Sequence, residues 1–171
     1  FLTKPLGVGI ISTSIKRCKA QASDVELASQ SMRSLNRIGP SLARINGVNA
    51  LTDVTGFGLL GHLTEIMTAS ALDAEIFWSQ IPKLPNLERY VDEDCIPGGT
   101  GRNYASIAQH LPTLSKTQRA ILCDPQTSGG LLVAVEPKAV DKVAAILEEA
   151  DLPFNPIGRL SQQLDEKATV K

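Results

Sequence analysis

The sequence is poor in the residues that build zinc centres and disulfide frameworks. Its three cysteines, Cys18, Cys95 and Cys123, are scattered and odd in number, and only His62 and His110 could join them as metal ligands. No CxxC pair and no zinc-type spacing occurs, which argues against a structural metal centre. We therefore predict buried free thiols in a reducing compartment. No thiol has a base beside it in sequence, so none is assigned as a nucleophile.

An excess of charge of one sign is also lacking. Seventeen Lys and Arg residues stand against 18 Asp and Glu residues, giving a formal net charge of -1. Such a balance excludes a large field that would attract nucleic acid or an anionic membrane. No apolar run approaches the length of a membrane span, and no signal segment is recognisable. We expect a cytoplasmic protein whose anion sites are local and built from backbone N–H groups and a few side chains.

Helical and strand-like patterns alternate along the chain, without repeats or low-complexity tracts. This order predicts a layered α/β or α+β domain. The predicted strands are 7–12, 49–54, 74–78, 131–135 and 154–160. The predicted helices are 23–35, 59–69, 87–91, 103–110 and 116–122, with another that begins at Pro137. The polar end of the chain, after Gln162, is expected to add no further element.

The segment 51–62 (LTDVTGFGLLGH) has the order strand, carboxylate, glycine-rich turn, helix. Gly56 and Gly58 allow backbone N–H groups to face outward, and the helix that follows presents its positive end to an anion. A phosphate beside Asp53 requires a cation between the two negative charges, and Mg²⁺ prefers such oxygen ligands. The alternative is that Asp53 and Thr55 cap the helix, as in any loop.

The segment 96–103 (IPGGTGRN) reads as a glycine-rich loop that leads into a helix. Gly98 and Gly99 make its N–H donors accessible, and the guanidinium of Arg102 has a planar geometry suited to phosphate. The alternative is a surface loop with a solvated arginine.

The segment 122–132 (LCDPQTSGGLL) ends a helix, forms a polar turn and enters a strand through two glycines. Thr127, Ser128 and Gly129 could contact phosphate. The alternative is that the two hydroxyl groups bond only to their own loop.

Three further residues attract attention but are given ordinary roles. His62 lies on the predicted helix 59–69 and is expected to be a structural hydrogen-bonding group. Trp78, the only tryptophan, is expected to pack against the core or a subunit partner. Lys4 is expected to be a solvated charge.

Taken together and in this order, the three segments closely resemble signature stretches of the second half of the selenophosphate synthetase (selenide, water dikinase) family. The segment 2–9 (LTKPLGVG) is similar to the point where that family enters its C-terminal domain. The resemblance covers residues 2–160 and implies that 1–171 is the C-terminal domain of a two-domain enzyme. The start at Phe1, rather than at a methionine, fits a piece of a longer polypeptide whose N-terminal ATP-binding domain is absent.

The resemblance implies an α+β domain like that of AIR synthetase, with helices packed on a mixed β-sheet. It implies an enzyme that makes selenophosphate, AMP and phosphate from selenide, ATP and water, with Mg²⁺, as a homodimer. The family's nucleophilic Cys or Sec and its Lys lie upstream, so no catalytic residue is expected here. Asp53 maps onto a metal-binding aspartate of the family. We expect the phosphate-cleft rim to contain Gly56, Gly58, Gly98, Gly99, Arg102, Thr127, Ser128 and Gly129.

Two alternatives remain open from the sequence alone. The chain could belong to another ATP-dependent enzyme of the same superfamily, which includes AIR synthetase, thiamine-monophosphate kinase and hydrogenase-maturation relatives. It could also be a dimerisation or binding module without chemistry. Retention of Asp53 and of all three segments argues against the second alternative.

Overall fold

The computed structural model describes residues 1–162 and 167–171. Its α-helices are α1 (Val8–Lys16), α2 (Ala22–Arg33), α3 (Gly39–Ala43), α4 (Gly58–Ser70), α5 (Leu87–Asp92), α6 (Gly98–Ile107), α7 (Lys116–Leu122) and α8 (Val140–Glu149). Its strands are β1 (Val48–Asp53), β2 (Leu72–Ile76), β3 (Leu131–Val135), β4 (Gly158–Gln162) and β5 (Ala168–Val170). Within the described ranges, no helix is long and apolar enough to cross a membrane.

The strands form two sheets. In the first, β1 pairs with β3 in antiparallel register, so that Asp53 lies opposite Leu131. Residues 1–3 pair with the other edge of β3. The amino group of Phe1 donates to the carbonyl of Val133 at 2.8 Å, and the N–H of Val133 donates to the carbonyl of Phe1 at 3.0 Å. In the second sheet, β2 lies between β4, which is antiparallel to it, and β5, which is parallel. The second sheet is therefore mixed, as the resemblance implied.

Helices cover both faces of the β1–β3 sheet. Successive side chains of a strand point to opposite faces, and β3 shows this directly. Leu132 belongs to the larger core, with buried residues of α1, α4, α5 and α7, whereas Leu131 and Val133 belong to a smaller core with α3 and α8. The result is the layered α+β domain that was expected.

Most of the predicted helices and the strand 131–135 are confirmed, but the strand predicted at 7–12 is wrong. Those residues begin α1, although they are rich in β-branched residues. The cause is tertiary: side chains from the segment 122–132 accept hydrogen bonds from the first N–H groups of α1. Local sequence propensity predicts a helix poorly when residues distant in sequence accept the hydrogen bonds of its first N–H groups.

Other boundaries also differ from the prediction. The strand predicted at 74–78 is β2, which ends at Ile76, and Trp78 begins a short 3-10 helix. Residues 98–101, expected to form a loop, are the first turn of α6, which begins directly after Pro97 and packs against α4 and α7. The strand predicted at 154–160 begins only at Gly158 and is β4, and the short strand β5 beyond it was missed. A helix can begin after proline, which needs no N–H partner there, and three glycines do not prevent it when the helix is packed.

Burial corrects two predictions about single residues. Cys95 and Cys123 are buried free thiols as expected, and burial raises the pKa of Cys123 to about 12. Cys18 is exposed, because it follows the C-terminus of α1 in a left-handed conformation, with φ 56°. Lys4 is not solvated: it is only 4% exposed, and burial lowers its pKa. Trp78 packs against the larger core, as predicted.

Candidate functional site

The three glycine-rich segments lie against one another. Asn103, the last residue of the second segment, donates from Nδ2 to the carbonyl of Gly56 in the first at 2.8 Å. The same amide donates to the carbonyl of Cys123 in the third at 3.1 Å. The N–H of Gln126 donates to the carbonyl of Thr55 at 2.9 Å, so the first and third segments are also joined directly.

Glycines allow the first and third segments to approach this closely. Gly58 has φ 71°, and a Cβ on it would lie 2.8 Å from the carbonyl carbon of Cys123. A Cβ on Gly129 would overlap the carbonyl oxygen of Val54. These two glycines are thus needed for packing, whatever else they do. Gly56 and Gly98, in contrast, are exposed, and a Cβ on either would meet nothing within 4 Å.

Asp53 is the last residue of β1 and is exposed. Within residues 1–162 and 167–171, its carboxylate forms no hydrogen bond and no ion pair. The alternative that Asp53 or Thr55 caps the helix is wrong, because α4 begins at Gly58 without any side-chain cap. A carboxylate that is neither a cap nor part of an ion pair is available to a ligand.

His62 fixes the turn that follows Asp53. Its Nε2 accepts from the N–H of Thr55 at 3.1 Å and lies 3.2 Å from the Thr55 hydroxyl. Since Nε2 is the acceptor, the ring proton lies on Nδ1, which is 3.0 Å from a carboxylate oxygen of Glu65. The prediction of a structural hydrogen-bonding role is confirmed.

Asp124 and Gln126 are two important residues of the third segment that the sequence analysis missed. The side-chain oxygen of Gln126 accepts from the N–H groups of Gly7 and Val8, each at 3.3 Å. A carboxylate oxygen of Asp124 accepts from the N–H of Gly9 at 3.0 Å and from the side chain of Gln126 at 2.8 Å. The two side chains therefore cap α1 from a distant part of the chain.

Asp124 is fully buried, and its second carboxylate oxygen has no partner among the described residues. Burial raises its pKa to about 7, against the hydrogen bonds from Gln126 and from the start of α1, which favour the charged form. No local pattern identifies such a residue, because its partners in α1 are more than a hundred positions away in sequence. Only the Asp-Pro-Gln order, typical of a turn, could have drawn attention to it.

The loop at 127–129 exposes the side chains of Thr127 and Ser128, whereas the carbonyls of Ser128 and Gly129 bond to side chains from elsewhere in the fold. Thr127 and Ser128 are exposed, and Ser128 is left-handed with φ 53°. The carbonyl of Ser128 accepts from Lys4 Nζ at 2.7 Å, and the carbonyl of Gly129 accepts from the side chain of Asn36 at 2.9 Å. The loop is thus held in place by residues outside the three segments.

Arg102 lies one turn into α6 and is exposed. Gly99, in the first turn of the same helix, packs beside Pro125, because a Cβ on it would lie 3.2 Å from that ring. The second segment therefore borders the third. Among residues 1–162 and 167–171, the Arg102 guanidinium forms no hydrogen bond and no ion pair. Every residue predicted for the site lies on these three neighbouring segments.

The described part of the chain offers few side chains that could together bind a metal ion. Among the described residues, no group of three or more His, Cys, Asp or Glu side chains could hold a metal ion. The exposed and unpaired carboxylate of Asp53 suits a hard cation as one ligand, and Mg²⁺ commonly takes one or two carboxylates together with phosphate and water. The residues present fit a contribution to a shared magnesium site.

A separate cavity of about 360 Å³ lies between the two sheets. It is lined mainly by apolar side chains, among them Leu63, Ile76, Val133 and Ile157. None of the predicted site residues contributes to this lining, so the cavity and the three segments are different places in the fold.

The whole chain, residues 1–171, matches the family described as AIR synthase related protein, C-terminal domain. A protein named selenide, water dikinase from Yersinia pseudotuberculosis serotype I (strain IP32953) is 48% identical over 171 residues, which are 100% of this chain and 49% of that protein. The protein of the same name from Shewanella sp. (strain ANA-3) is 50% identical over 160 residues, 94% of this chain and 46% of that one. The chain spans about half the length of the relatives it matches.

Solved structures with low sequence identity share the fold. Thiamine-monophosphate kinase from Stenotrophomonas maltophilia K279a superposes with a TM-score of 0.67 at 18% identity, covering 99% of this chain and 48% of that one. HypE from E. coli gives a TM-score of 0.64 at 21% identity, covering 94% and 42%. The hydrogenase maturation protein HypE in complex with ATP gives 0.59 at 18% identity, covering 96% and 42%. These similarities confirm the predicted fold class.

Proposed function

Because this chain belongs to the family of AIR synthase related protein C-terminal domains, we propose that it is the C-terminal domain of a selenophosphate synthetase. The observation that carries the proposal is its 48% identity, over all 171 residues, to a selenide, water dikinase. The enzyme would convert selenide, ATP and water into selenophosphate, AMP and phosphate. The nucleophile, a Cys or Sec, and its Lys would be supplied by an N-terminal ATP-binding domain, so this domain alone would be inactive.

We assign Asp53 as the metal ligand that this domain contributes. Its exposure and its lack of a partner among the described residues support the assignment, because a carboxylate used as a cap or in an ion pair would be a poorer ligand. Mg²⁺ would neutralise and orient phosphate groups. The protein's own contribution is to hold the end of β1 and the turn after it in one position, through Val54, Thr55 and His62.

The predicted rim residues fall into two groups by their surroundings. Gly56, Gly98, Arg102, Thr127 and Ser128 are exposed and would face the phosphate groups directly. The others would allow the segments to approach one another, whatever else their backbone groups contribute; these are Gly58, Gly99 and Gly129. We further propose that the two-domain enzyme is a cytoplasmic homodimer.

The function is tested with the two-domain polypeptide that carries this chain. We would incubate it with ATP, Mg²⁺ and selenide under anaerobic conditions and follow the products by phosphorus NMR. We expect the resonance of selenophosphate together with AMP and orthophosphate. Formation of ADP without selenophosphate would overturn the proposal in favour of another ATP-dependent enzyme, and absence of any turnover would favour a binding module.

The role of Asp53 is tested in the same assay with Asp53→Ala. We expect turnover to fall by about a hundredfold or more, since loss of metal-based charge stabilisation typically costs several kcal/mol. The control is Asp92→Ala, which removes an exposed carboxylate at the end of α5 and should leave turnover unchanged. If Asp53→Ala keeps the rate and the magnesium dependence of the parent enzyme, the metal role is wrong.

A further inference from the structure

Two side-chain donors outside the three signature segments bond to backbone carbonyls of the loop at 127–129. Lys4 Nζ bonds to the carbonyl of Ser128 at 2.7 Å, and Asn36 bonds to the carbonyl of Gly129 at 2.9 Å. Lys4 Nζ also bonds to the carbonyl of Ser34 at 2.6 Å. Both donors therefore stand on the side of the loop that faces the segment after α2.

The ammonium of Lys4 is a buried positive charge whose partners are carbonyl groups. The residue is 4% exposed, and in the described part of the chain its Nζ forms no ion pair with a carboxylate. Buried charges in proteins are normally paired with an opposite charge. A buried cation without one makes the adjacent surface attractive to anions, and the adjacent surface is the exposed side of the 127–128 turn.

The fixed carbonyl groups also determine the direction of an N–H group. In a trans peptide unit the carbonyl and the following N–H point in opposite directions. Because the carbonyl of Ser128 points to Lys4, the N–H of Gly129 points away from it. Within the described residues, this N–H donates no hydrogen bond. Turns that contain a left-handed residue, as Ser128 is, commonly direct N–H groups into anion-binding concavities.

These contacts are not required to hold the neighbouring strand. The N–H of Leu131 already bonds to the hydroxyl of Thr3 at 2.8 Å, and the N–H of Thr3 bonds to the carbonyl of Leu131 at 3.0 Å. The start of β3 is thus held by Thr3, whereas Lys4 and Asn36 bond to the loop that precedes this strand.

We propose that Lys4 and Asn36 are positioning residues that orient the Gly129 N–H and the Ser128 hydroxyl towards an anion of the phosphate class. The inference rests on the proposed function, which requires phosphate groups beside this loop. Neither positioning residue touches the ligand. Each acts by bonding to a backbone carbonyl of the loop on the side away from the proposed anion, and Lys4 also places a positive charge on that side.

The test uses the full 171-residue chain labelled with nitrogen-15 and titrated with inorganic tripolyphosphate. We expect the amide resonance of Gly129 to shift and to saturate. Lys4→Met and Asn36→Leu, which remove the donors but keep the approximate side-chain volume, should each weaken the apparent affinity by about tenfold. Lys142→Met is the control, because it removes one positive charge from an exposed position of α8 and should leave the affinity unchanged.

An unmoved Gly129 resonance, or unchanged affinity in both variants, overturns the inference. If Lys4→Met does not fold, the affinity of the Asn36→Leu variant alone tests the inference. Asn36 lies at a half-buried position, where the substitution should be compatible with folding. Failure of the proposed function is distinguishable from failure of this inference. Tripolyphosphate binding at Gly129 without selenophosphate synthesis would contradict the former alone, and synthesis without any response at Gly129 would contradict the latter alone.

Discussion

Asp124 makes the stability of this domain depend on pH in an unusual direction. Burial raises the pKa of this carboxyl group from 3.8 to about 7 in the folded chain. A group whose folded pKa exceeds its unfolded pKa stabilises the protein at low pH, and the stabilisation is lost as the pH rises through the folded value. The full effect of such a change corresponds to about 4 kcal/mol, lost between about pH 4 and about pH 7.

The comparison that isolates this effect is Asp124→Asn. Asparagine has nearly the same shape, can still accept from the N–H of Gly9, and does not ionise in this range. We would measure urea unfolding at several pH values by the fluorescence of Trp78, the only tryptophan, and extrapolate to water. The free energy of unfolding of the parent chain, minus that of the variant, should fall by up to about 4 kcal/mol as the pH rises from about 4 to about 7.

The difference between the two proteins is informative because other titrations cancel in it. The buried amino group of Phe1, whose pKa burial lowers to about 6, titrates in both proteins alike. If the difference is constant across the range, Asp124 is charged throughout and the raised pKa is refuted. If the parent chain instead gains stability with pH relative to the variant, the N–H groups of α1 stabilise the carboxylate more than burial destabilises it, and the direction of the pKa shift is wrong.

Further predictions concern the contacts that join the three segments and the glycines within them. Asn103→Ala removes the hydrogen bonds to the carbonyls of Gly56 and Cys123 and should lower the free energy of unfolding by about 1–3 kcal/mol in urea titrations; a loss no greater than that of the exposed control Asn155→Ala would contradict this. Gly129→Ala should prevent folding or strongly destabilise the chain, because its Cβ would overlap the Val54 carbonyl. Gly101→Ala, in open space on α6, should stabilise it by about 0.5–1 kcal/mol. Equal effects of the two glycine substitutions on the melting temperature would show that the segments are not packed as described.

The sequence allowed the helices with strong apolar periodicity and the strand 131–135 to be predicted, because those signals are local. It failed at α1, where Val8, Ile10 and Ile11 favour a strand, whereas in the fold the distant side chains of Asp124 and Gln126 accept hydrogen bonds from the first N–H groups of the helix. It also failed at Lys4, because nothing near a lysine in sequence indicates that two carbonyl groups will surround it in the fold.

The candidate site was predictable as a set of segments but not as a geometry. Motif order placed Asp53 and the glycine-rich turns together, and the structure brings those segments into contact. The division of the glycines into exposed positions and packing positions could not be inferred, since it depends on which backbone atoms lie opposite, as with Gly129 and Val54. Asn36 likewise has no local signal, because its partner is 93 positions away in sequence.

We propose that the carboxylate of Asp53 would bind a divalent ion together with a polyphosphate. A crystal structure of the two-domain enzyme with Mg²⁺ and a non-hydrolysable ATP analogue tests this directly. We expect an Asp53 oxygen at about 2.1 Å from a magnesium ion that is also bound to phosphate oxygen. An Asp53 side chain that is hydrogen-bonded only to its own turn, with the metal held entirely by other residues, would contradict it.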